Sequence, residues 1–552
     1  MSADSLGDRS RLWAGFGPRE QLVLLGIFAV ALALRLLHLH QIGLNDPFFE
    51  IPAVDGSVYH GQAEALTRGD LGDGVLILGP FYPWFMAGVY SLFGVSLVAL
   101  KNLQAAIGAI DCVLVAVLAR LYFRPAVALV AAAMAASYGM LVFYGGTVMI
   151  VNVLVPLVLL SAITVTHALR DPSALRWLVA GLVSSCAVLA RQNMLLYVLA
   201  VGGWLLFSLR PDERVRCAAA FTLGVVVLIA PFTLRNAVIG GDFVLLNSTG
   251  GMNLYMGNYE RANGAWVPPA FGVRVDSPAT MRAAFATVAE RETGREMKPS
   301  EVAAHWSARA RQAVWENPGR WLALELRKAL LFWNVREVWN NRSIEISRDF
   351  SWVLRLPLLG FGVVAPLALV GLGLSWRRWR ELFPLHAMIA VYFASALAFF
   401  VLSRFRIPVL PILFVFAAYA LVEGFGLVRE RRFKALALVL AWTALLGWVV
   451  HRDMGRENLY MAHFNLGNKY RDLGRFESAI ESYSRSLAIN SGFIATHNNL
   501  ALAYEGAGRR EDAIETWRRV LASSLEHGDA RRTERAARHL RGLGADPASV
   551  SP

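Results

Sequence analysis

The sequence predicts an all-α protein threaded many times through a membrane, with a helical repeat array near its C-terminal end. Three observations carry this. Apolar residues make up 56% of the 552 positions and charged residues 17%, against about 25% charged in soluble domains. The apolar residues gather in runs of roughly twenty, the length that crosses a ~30 Å hydrocarbon layer. A set of residues near the end also recurs after 34 positions, a period that marks stacked helix pairs.

Eleven apolar runs read as spans: 21–39, 101–120, 125–144, 148–168, 176–191, 193–209, 217–234, 352–374, 384–402, 407–427 and 435–450. The first follows Arg9, Arg11 and Arg19 and contains Ala31-Leu32-Ala33, as a cleaved signal peptide would. The many later spans need an anchored first one, so it reads as a span. Orientation follows the basic short loops. Arg120 and Arg124, Arg170 and Arg176, Arg210, Arg214 and Arg216, Arg377, Arg378 and Arg380, and Arg429, Arg431, Arg432 and Lys434 all fall on the side of the N-terminus. That side is cytoplasmic, and an odd number of spans puts the C-terminus outside. The net charge of +13 lies mostly in these loops, so it marks topology and speaks against nucleic acid. Cys112, Cys186 and Cys217 lie in or beside apolar runs, which leaves no disulfide framework and no paired-cysteine metal site.

Three polar regions therefore face out. The loop 40–80 is followed by an apolar stretch, Phe81 to Phe93, that lies on the membrane surface or dips into it. The segment 235–350 is rich in tryptophan (Trp266, Trp306, Trp315, Trp321, Trp333, Trp339), which suits an interface or the packing of an outer domain. In the tail, Asn465, Leu466, Tyr470, Gly474, Ala479 and Leu487 recur as Asn499, Leu500, Tyr504, Gly508, Ala513 and Leu521. This is the tetratricopeptide period, and a basic helix around 528–543 caps the stack. The expected domains are a membrane domain over 1–451 with a mixed outer-loop region, a repeat α-solenoid over 452–545, and a disordered tail over 546–552. Repeats 461–528 offer a protein-docking surface or a stabilising appendix, with equal weight.

Asp55 leads the residues that can carry chemistry. It stands just after the first span in Val54-Asp55-Gly56-Ser57-Val58-Tyr59-His60. A carboxylate at a membrane face is expensive to desolvate. A positioned one can take the proton of an acceptor hydroxyl. The plainer reading is an N-cap for a helix from about Gly56 to Arg68. Asp46, Glu50 and Glu64 are nearby alternatives. Arg404 and Arg406 lie between two spans on the outer side, where the positive-inside bias does not explain them. Paired guanidiniums suit a phosphate, although snorkelling to lipid headgroups is the plainer account. Arg191, Arg235 and Lys101 are further candidates for the same anionic site. Asn247-Ser248-Thr249 and Asn341-Arg342-Ser343 match the N-glycosylation pattern, which is common by chance. No phosphate-cradling glycine loop, zinc signature or serine elbow appears.

Several stretches together resemble bacterial glycosyltransferases of the GT-C class. The aspartate loop is followed by Pro80-Phe81-Tyr82-Pro83-Trp84-Phe85 and Leu92-Phe93-Gly94. Leu189-Ala190-Arg191-Gln192-Asn193, Pro231-Phe232-Thr233-Leu234-Arg235-Asn236, the run Gly251 to Asn258 and Arg404-Phe405-Arg406-Ile407-Pro408 come next. The likeness is to the family-39 branch of protein O-mannosyltransferases and aminoarabinose transferases, some of which end in tetratricopeptide repeats. The resemblance implies an inverting transfer from a polyprenyl-phosphate sugar, with Asp55 as base. It implies Tyr59, His60, Glu64, Lys101, Arg191, Arg235, Asn253, Tyr255, Asn258, Arg404 and Arg406 as substrate-binding residues. Relatives often carry an acidic residue at the outer start of the fourth span. This chain has Asn152 there, which leaves the acceptor and a divalent metal open.

The expected partners are a lipid-linked sugar donor, an acceptor of unstated class, the membrane and a protein at the repeats. The expected location is a bacterial cytoplasmic membrane with the repeats outside. A ligase or polymerase using a lipid-diphosphate oligosaccharide, or a transporter or scaffold, are the alternatives.

Overall fold

The computed structural model describes residues 15–50, 52, 54–267, 269, 278–455 and 459–549. Among them there is helix and loop, with one isolated bridge between Tyr138 and Leu359. The first ten helices are α1 (Pro18–Asn45), α2 (Asp55–Thr67), α3 (Phe81–Phe93), α4 (Leu97–Tyr122), α5 (Pro125–Ser137), α6 (Gly139–Gly145), α7 (Val151–Arg170), α8 (Ala174–Ala190), α9 (Met194–Ser208) and α10 (Pro211–Val238). The next ten are α11 (Gly250–Asn258), α12 (Pro278–Thr293), α13 (Pro299–Glu316), α14 (Pro318–Trp333), α15 (Ile344–Ser347), α16 (Phe361–Ser375), α17 (Phe383–Ala398), α18 (Ser403–Arg406), α19 (Leu410–Arg429) and α20 (Phe433–Val450). The last five are α21 (Tyr460–Asp472), α22 (Phe476–Ile489), α23 (Ile494–Gly506), α24 (Arg510–Glu526) and α25 (Ala530–Gly542).

Starts are set by local chemistry. Proline opens α5, α10, α13 and α14, where its missing N–H leaves no bond unmade. Ser96, Ser173 and Asn317 cap α4, α8 and α14 by accepting from Ala99, Arg176 and Arg320 backbone N–H groups.

The chain divides into two compact units. The first holds residues up to 42, 52–341 and 351–454. Among the described residues six helices are long and apolar enough to cross a membrane, counting α18 to α19 as one. Each of the eleven expected spans overlaps helix, but the 125–144 run breaks into α5 and α6 at Tyr138, helix begins only at Phe361 in the 352–374 run, and residues 399–402 leave helix at the end of the 384–402 run. Together these make the chain a multi-pass membrane protein. Burial sorts the six. The windows of α19, α7 and α4 are 78%, 67% and 61% buried and form the centre. Those of α1 and α10 are 28% buried and that of α20 is 6% buried, so they form the rim facing lipid. At the α8–α10 crossing a Cβ on Gly181 would lie 2.3 Å from Phe221 O, and one on Gly224 would lie 2.4 Å from Leu178 O. Glycine at both positions lets the two backbones touch.

The second unit holds residues 43–51, 342–350 and 455 onward. Its helices α21 to α25 pack in sequence as antiparallel neighbours. Trp517 is fully buried among Ala501, Val520, Leu521, Ala536 and Leu540, with the His539 ring stacked 4.4 Å away. Asn468 Oδ1 accepts from Tyr483 Oη and Asn499 Nδ2, both at 2.7 Å, and so ties α21, α22 and α23 together. Arg342 pairs with Asp46 at 2.6 Å within this unit. Residues 550–552 of the expected tail lie outside the described residues.

Candidate active site

Asp55 is the first residue of α2. The N-cap position belongs to Val54, which makes no side-chain cap bond, so the expectation that Asp55 caps the helix is corrected. Val54 adopts φ 54°, strained for a β-branched residue and of a kind concentrated at working sites. The Asp55 carboxylate accepts from Arg404 Nη1 and from the side chain of Asn341. Burial would raise this carboxyl, but the Arg404 guanidinium and the two hydrogen bonds hold it below its ordinary value of 3.8.

Arg404 lies on α18, a single turn after the non-helical residues 399–402. Two residues apart on one turn, Arg404 and Arg406 point in nearly opposite directions. Arg406 is 2% exposed and donates to Phe332 O at 3.1 Å, Asn334 O at 2.6 Å, Arg336 O at 3.0 Å and Glu337 Oε2 at 2.7 Å. It lies 4.1 Å over the Phe361 ring. The expected arginine pair is thus split: one member faces the carboxylate, the other holds loop carbonyls.

The second guanidinium of the site comes from Arg191, at the C-terminal end of α8. It rests 3.8 Å over the Phe405 ring, and Arg404 lies 5.3 Å from the same ring. Arg191 interacts electrostatically with Tyr392, Arg404, Tyr59 and Asp55, and its side chain makes no hydrogen bond among the described residues. Tyr392 Oη, Ser403 Oγ and Arg404 Nε are likewise buried without a hydrogen-bond partner among them. Two half-buried guanidiniums against one carboxylate leave a local excess of positive charge beside unused donors. Such a site suits an anion. Among the described residues no group of three or more His, Cys, Asp or Glu side chains is placed to hold a metal.

The walls follow from the aromatic motif. Tyr59, one turn along α2, is 5% exposed and meets Tyr82 edge-on at 4.9 Å. Tyr82 Oη donates to Gln104 on α4. Gln104 Nε2 and Asn152 Nδ2 both donate to Thr147 O, at 3.0 and 2.9 Å. A Cβ on Gly79 would sit 2.5 Å from both Leu189 O and Ala190 O, so only glycine there lets the start of α3 reach the turn that carries Arg191.

The other expected residues lie elsewhere. His60 bonds Tyr90 Oη at 2.8 Å and pairs with Glu64 at 3.4 Å. Lys101 is buried on the first turns of α4. Arg235, near the end of α10, clamps the loop before α3 through the Leu71, Gly72 and Gly74 carbonyls. On α11, Tyr255 packs on Trp306 at 4.6 Å and Asn258 receives a bond from buried Lys328 at 3.2 Å. Asn253 is half-buried on the same helix. Of the alternatives, Asp46 is paired with Arg342 and Glu50 is exposed. Asn341, Tyr392 and Ser403 were not anticipated. Asn341 stood in the second glycosylation-like triplet, whereas Tyr392 and Ser403 are polar residues inside or beside apolar runs.

Comparison with known proteins bears on this arrangement. Residues 78–234, which hold α3, Arg191 and the α8–α10 crossing, match one family model. It is that of the dolichyl-phosphate-mannose-protein mannosyltransferases. Residues 467–508 match a tetratricopeptide repeat model. No curated protein matches. Solved structures resemble the chain distantly. Archaeoglobus fulgidus oligosaccharyltransferase in the apo form is 14% identical with a TM-score of 0.45, over 81% of this chain and 57% of that one. ArnT from Cupriavidus metallidurans bound to undecaprenyl phosphate is 14% identical with a TM-score of 0.42, over 92% of this chain and 81% of that one. The S. cerevisiae protein O-mannosyltransferase complex bound to the sugar donor is 18% identical with a TM-score of 0.35, over 43% and 35%. The chain thus spans under three-fifths of the length of the archaeal enzyme.

Proposed function

We propose that the chain transfers a sugar, with inversion, from a polyprenyl-phosphate donor to an acceptor hydroxyl at the outer membrane face. One observation carries the reading: the half-buried pair Arg191 and Arg404 is matched by a single carboxylate, Asp55. The donor phosphate supplies the missing negative charge, accepted by planar donors suited to two oxygens at once. When Arg404 turns to the phosphate, Asp55 loses its strongest stabilising neighbour and its affinity for a proton rises. The acceptor oxygen then attacks the anomeric carbon as its proton passes to the Asp55 carboxylate. The bond from that carbon to the phosphate oxygen breaks, and its electron pair leaves on the lipid phosphate between the two guanidiniums. Asn341 holds the carboxylate in place, and the strained Val54 fixes its approach. Outer-face placement rests on the alternation of basic loops. The repeat match supports a protein docked on the second unit.

Native mass spectrometry of the detergent-purified chain and of Asp55→Asn tests this. A co-purifying polyprenyl monophosphate bearing one sugar, enriched in the variant, is the expected result and gives the mass of the sugar. A lipid diphosphate bearing several sugars would replace this reading with a ligase. Preparations of both that release no lipid phosphate from any polyprenyl-phosphate sugar would overturn it.

A further inference from the structure

The outer segment carries a surface that the site does not use. Helix α14 buries Leu324, Lys328, Leu331 and Phe332. Its arginines are committed to backbone: Arg320 Nη2 lies 2.6 Å from Tyr259 O, and Arg327 Nε lies 2.8 Å from Asn263 O. At 3.6 residues per turn, the remaining arc of roughly 120° holds Leu322, Ala323, Leu326, Ala329, Leu330 and Trp333 and no charged side chain. Leu322 is 66% exposed and Leu326 is 63% exposed. Trp315, which ends α13, is 80% exposed. An apolar arc of this size facing water is costly.

We propose that this face of α14 is immersed in the lipid surface at the end of the bundle where α20 stops. Continuity with the lipid-facing rim argues for lipid over a protein partner. α14 packs against α17 and α20, and α20 is the span with 6% of its apolar window buried. The C-terminal end of α14 is tied to the end of α20, since Asn334 Nδ2 donates to Val450 O at 2.8 Å and to Arg452 O at 2.9 Å. Val335 N adds a bond to Val450 O at 3.0 Å. Trp448, near that end of α20, is itself 69% exposed. Tryptophan on both helices at one level is the pattern of a membrane interface. The chain then runs from Trp333 to Asn341, which hydrogen-bonds Asp55. The lipid layer therefore holds one end of a short segment whose other end supports the carboxylate.

The full chain, with Cys112→Ala, Cys186→Ala and Cys217→Ala, is given one cysteine at Leu326→Cys or at the exposed Glu296→Cys and labelled with an environment-sensitive fluorophore. Each is reconstituted in phosphatidylcholine vesicles, with nitroxide-bearing lipid or aqueous iodide as quencher. Nitroxide lipid should remove most emission at 326 and little at 296, and iodide should do the reverse. Iodide quenching at 326 as at 296 would show a face in water and overturn the proposal. Protection of 326 from both quenchers would overturn it too, by showing a protein cover. Leu322→Cys repeats the reading if Leu326→Cys does not fold.

Discussion

Asp55→Asn keeps the size of the side chain and removes its charge and basicity. Two effects follow, of different size and sign. Both ends of the Asp55–Arg404 pair keep a little exposure, 17% and 18%, so breaking it destabilises by about 2 kcal/mol, between surface and fully buried values. Loss of the base slows transfer by about 10²–10⁴-fold, or roughly 3–5 kcal/mol in the barrier. Donor binding moves the other way. With no carboxylate competing for Arg404, the variant retains polyprenyl phosphate at least as well as the parent. Arg404→Gln loses both turnover and retention. The assay is single-turnover release of polyprenyl phosphate at low temperature, with bound lipid quantified in parallel so that rates compare at equal occupancy. Asp55→Asn turning over within a few-fold of the parent would refute the base. Equal loss of retention in both variants would reduce the pair to a scaffold.

Arg191→Ala removes a guanidinium that makes no hydrogen bond among the described residues, so its effect appears in the donor: affinity for polyprenyl phosphate falls about tenfold or more, with thermal stability little changed. Asn341→Ala removes a bond that lowers the Asp55 carboxyl. A depressed carboxyl stabilises the fold above its ordinary value, and that contribution is lost as pH falls through the folded value. In the variant the folded value rises, so the acid limb of turnover moves to higher pH while the alkaline limb stays. Gly181→Val drives a side chain into Phe221 O and lowers the melting temperature in detergent, at a cost of roughly 1–3 kcal/mol. Trp517→Ala empties the centre of the repeat unit at about 3–5 kcal/mol, read as faster amide exchange in α24 and α25.

The helices of the membrane unit were legible because apolar runs are a local signal, although only six of the helices among the described residues have the length and apolarity to cross a membrane. Asp55 and Arg404 were legible as charges out of place, one at a membrane face and one against the topology rule. Their direct contact was not, since 349 residues separate them. The split of Arg404 from Arg406 was hidden for a different reason. Charges two residues apart read as a pair on paper, whereas one helical turn sends them to opposite sides. Asn341 had a visible motif that suggested another chemistry. Tyr392 and Ser403 carried no local signal, because a polar group in an apolar run shows its purpose only when its neighbours in space are known.

The arginine that turned away from the carboxylate constrains how the chain can be built. Its carbonyl partners Phe332, Asn334 and Arg336 are made 74, 72 and 70 residues before it, and the two spans that present it follow them. During synthesis this stretch emerges first and waits with its backbone acceptors open. It can close only when α17 and the turn bearing Arg406 have been made and folded against it. The bonds from Asn334 and Val335 to the end of α20 come later still. Closure of this stretch therefore reports arrival of the last helices, and a chain stalled before them would leave the Arg406 and α20 locks unclosed and the stretch open to proteases.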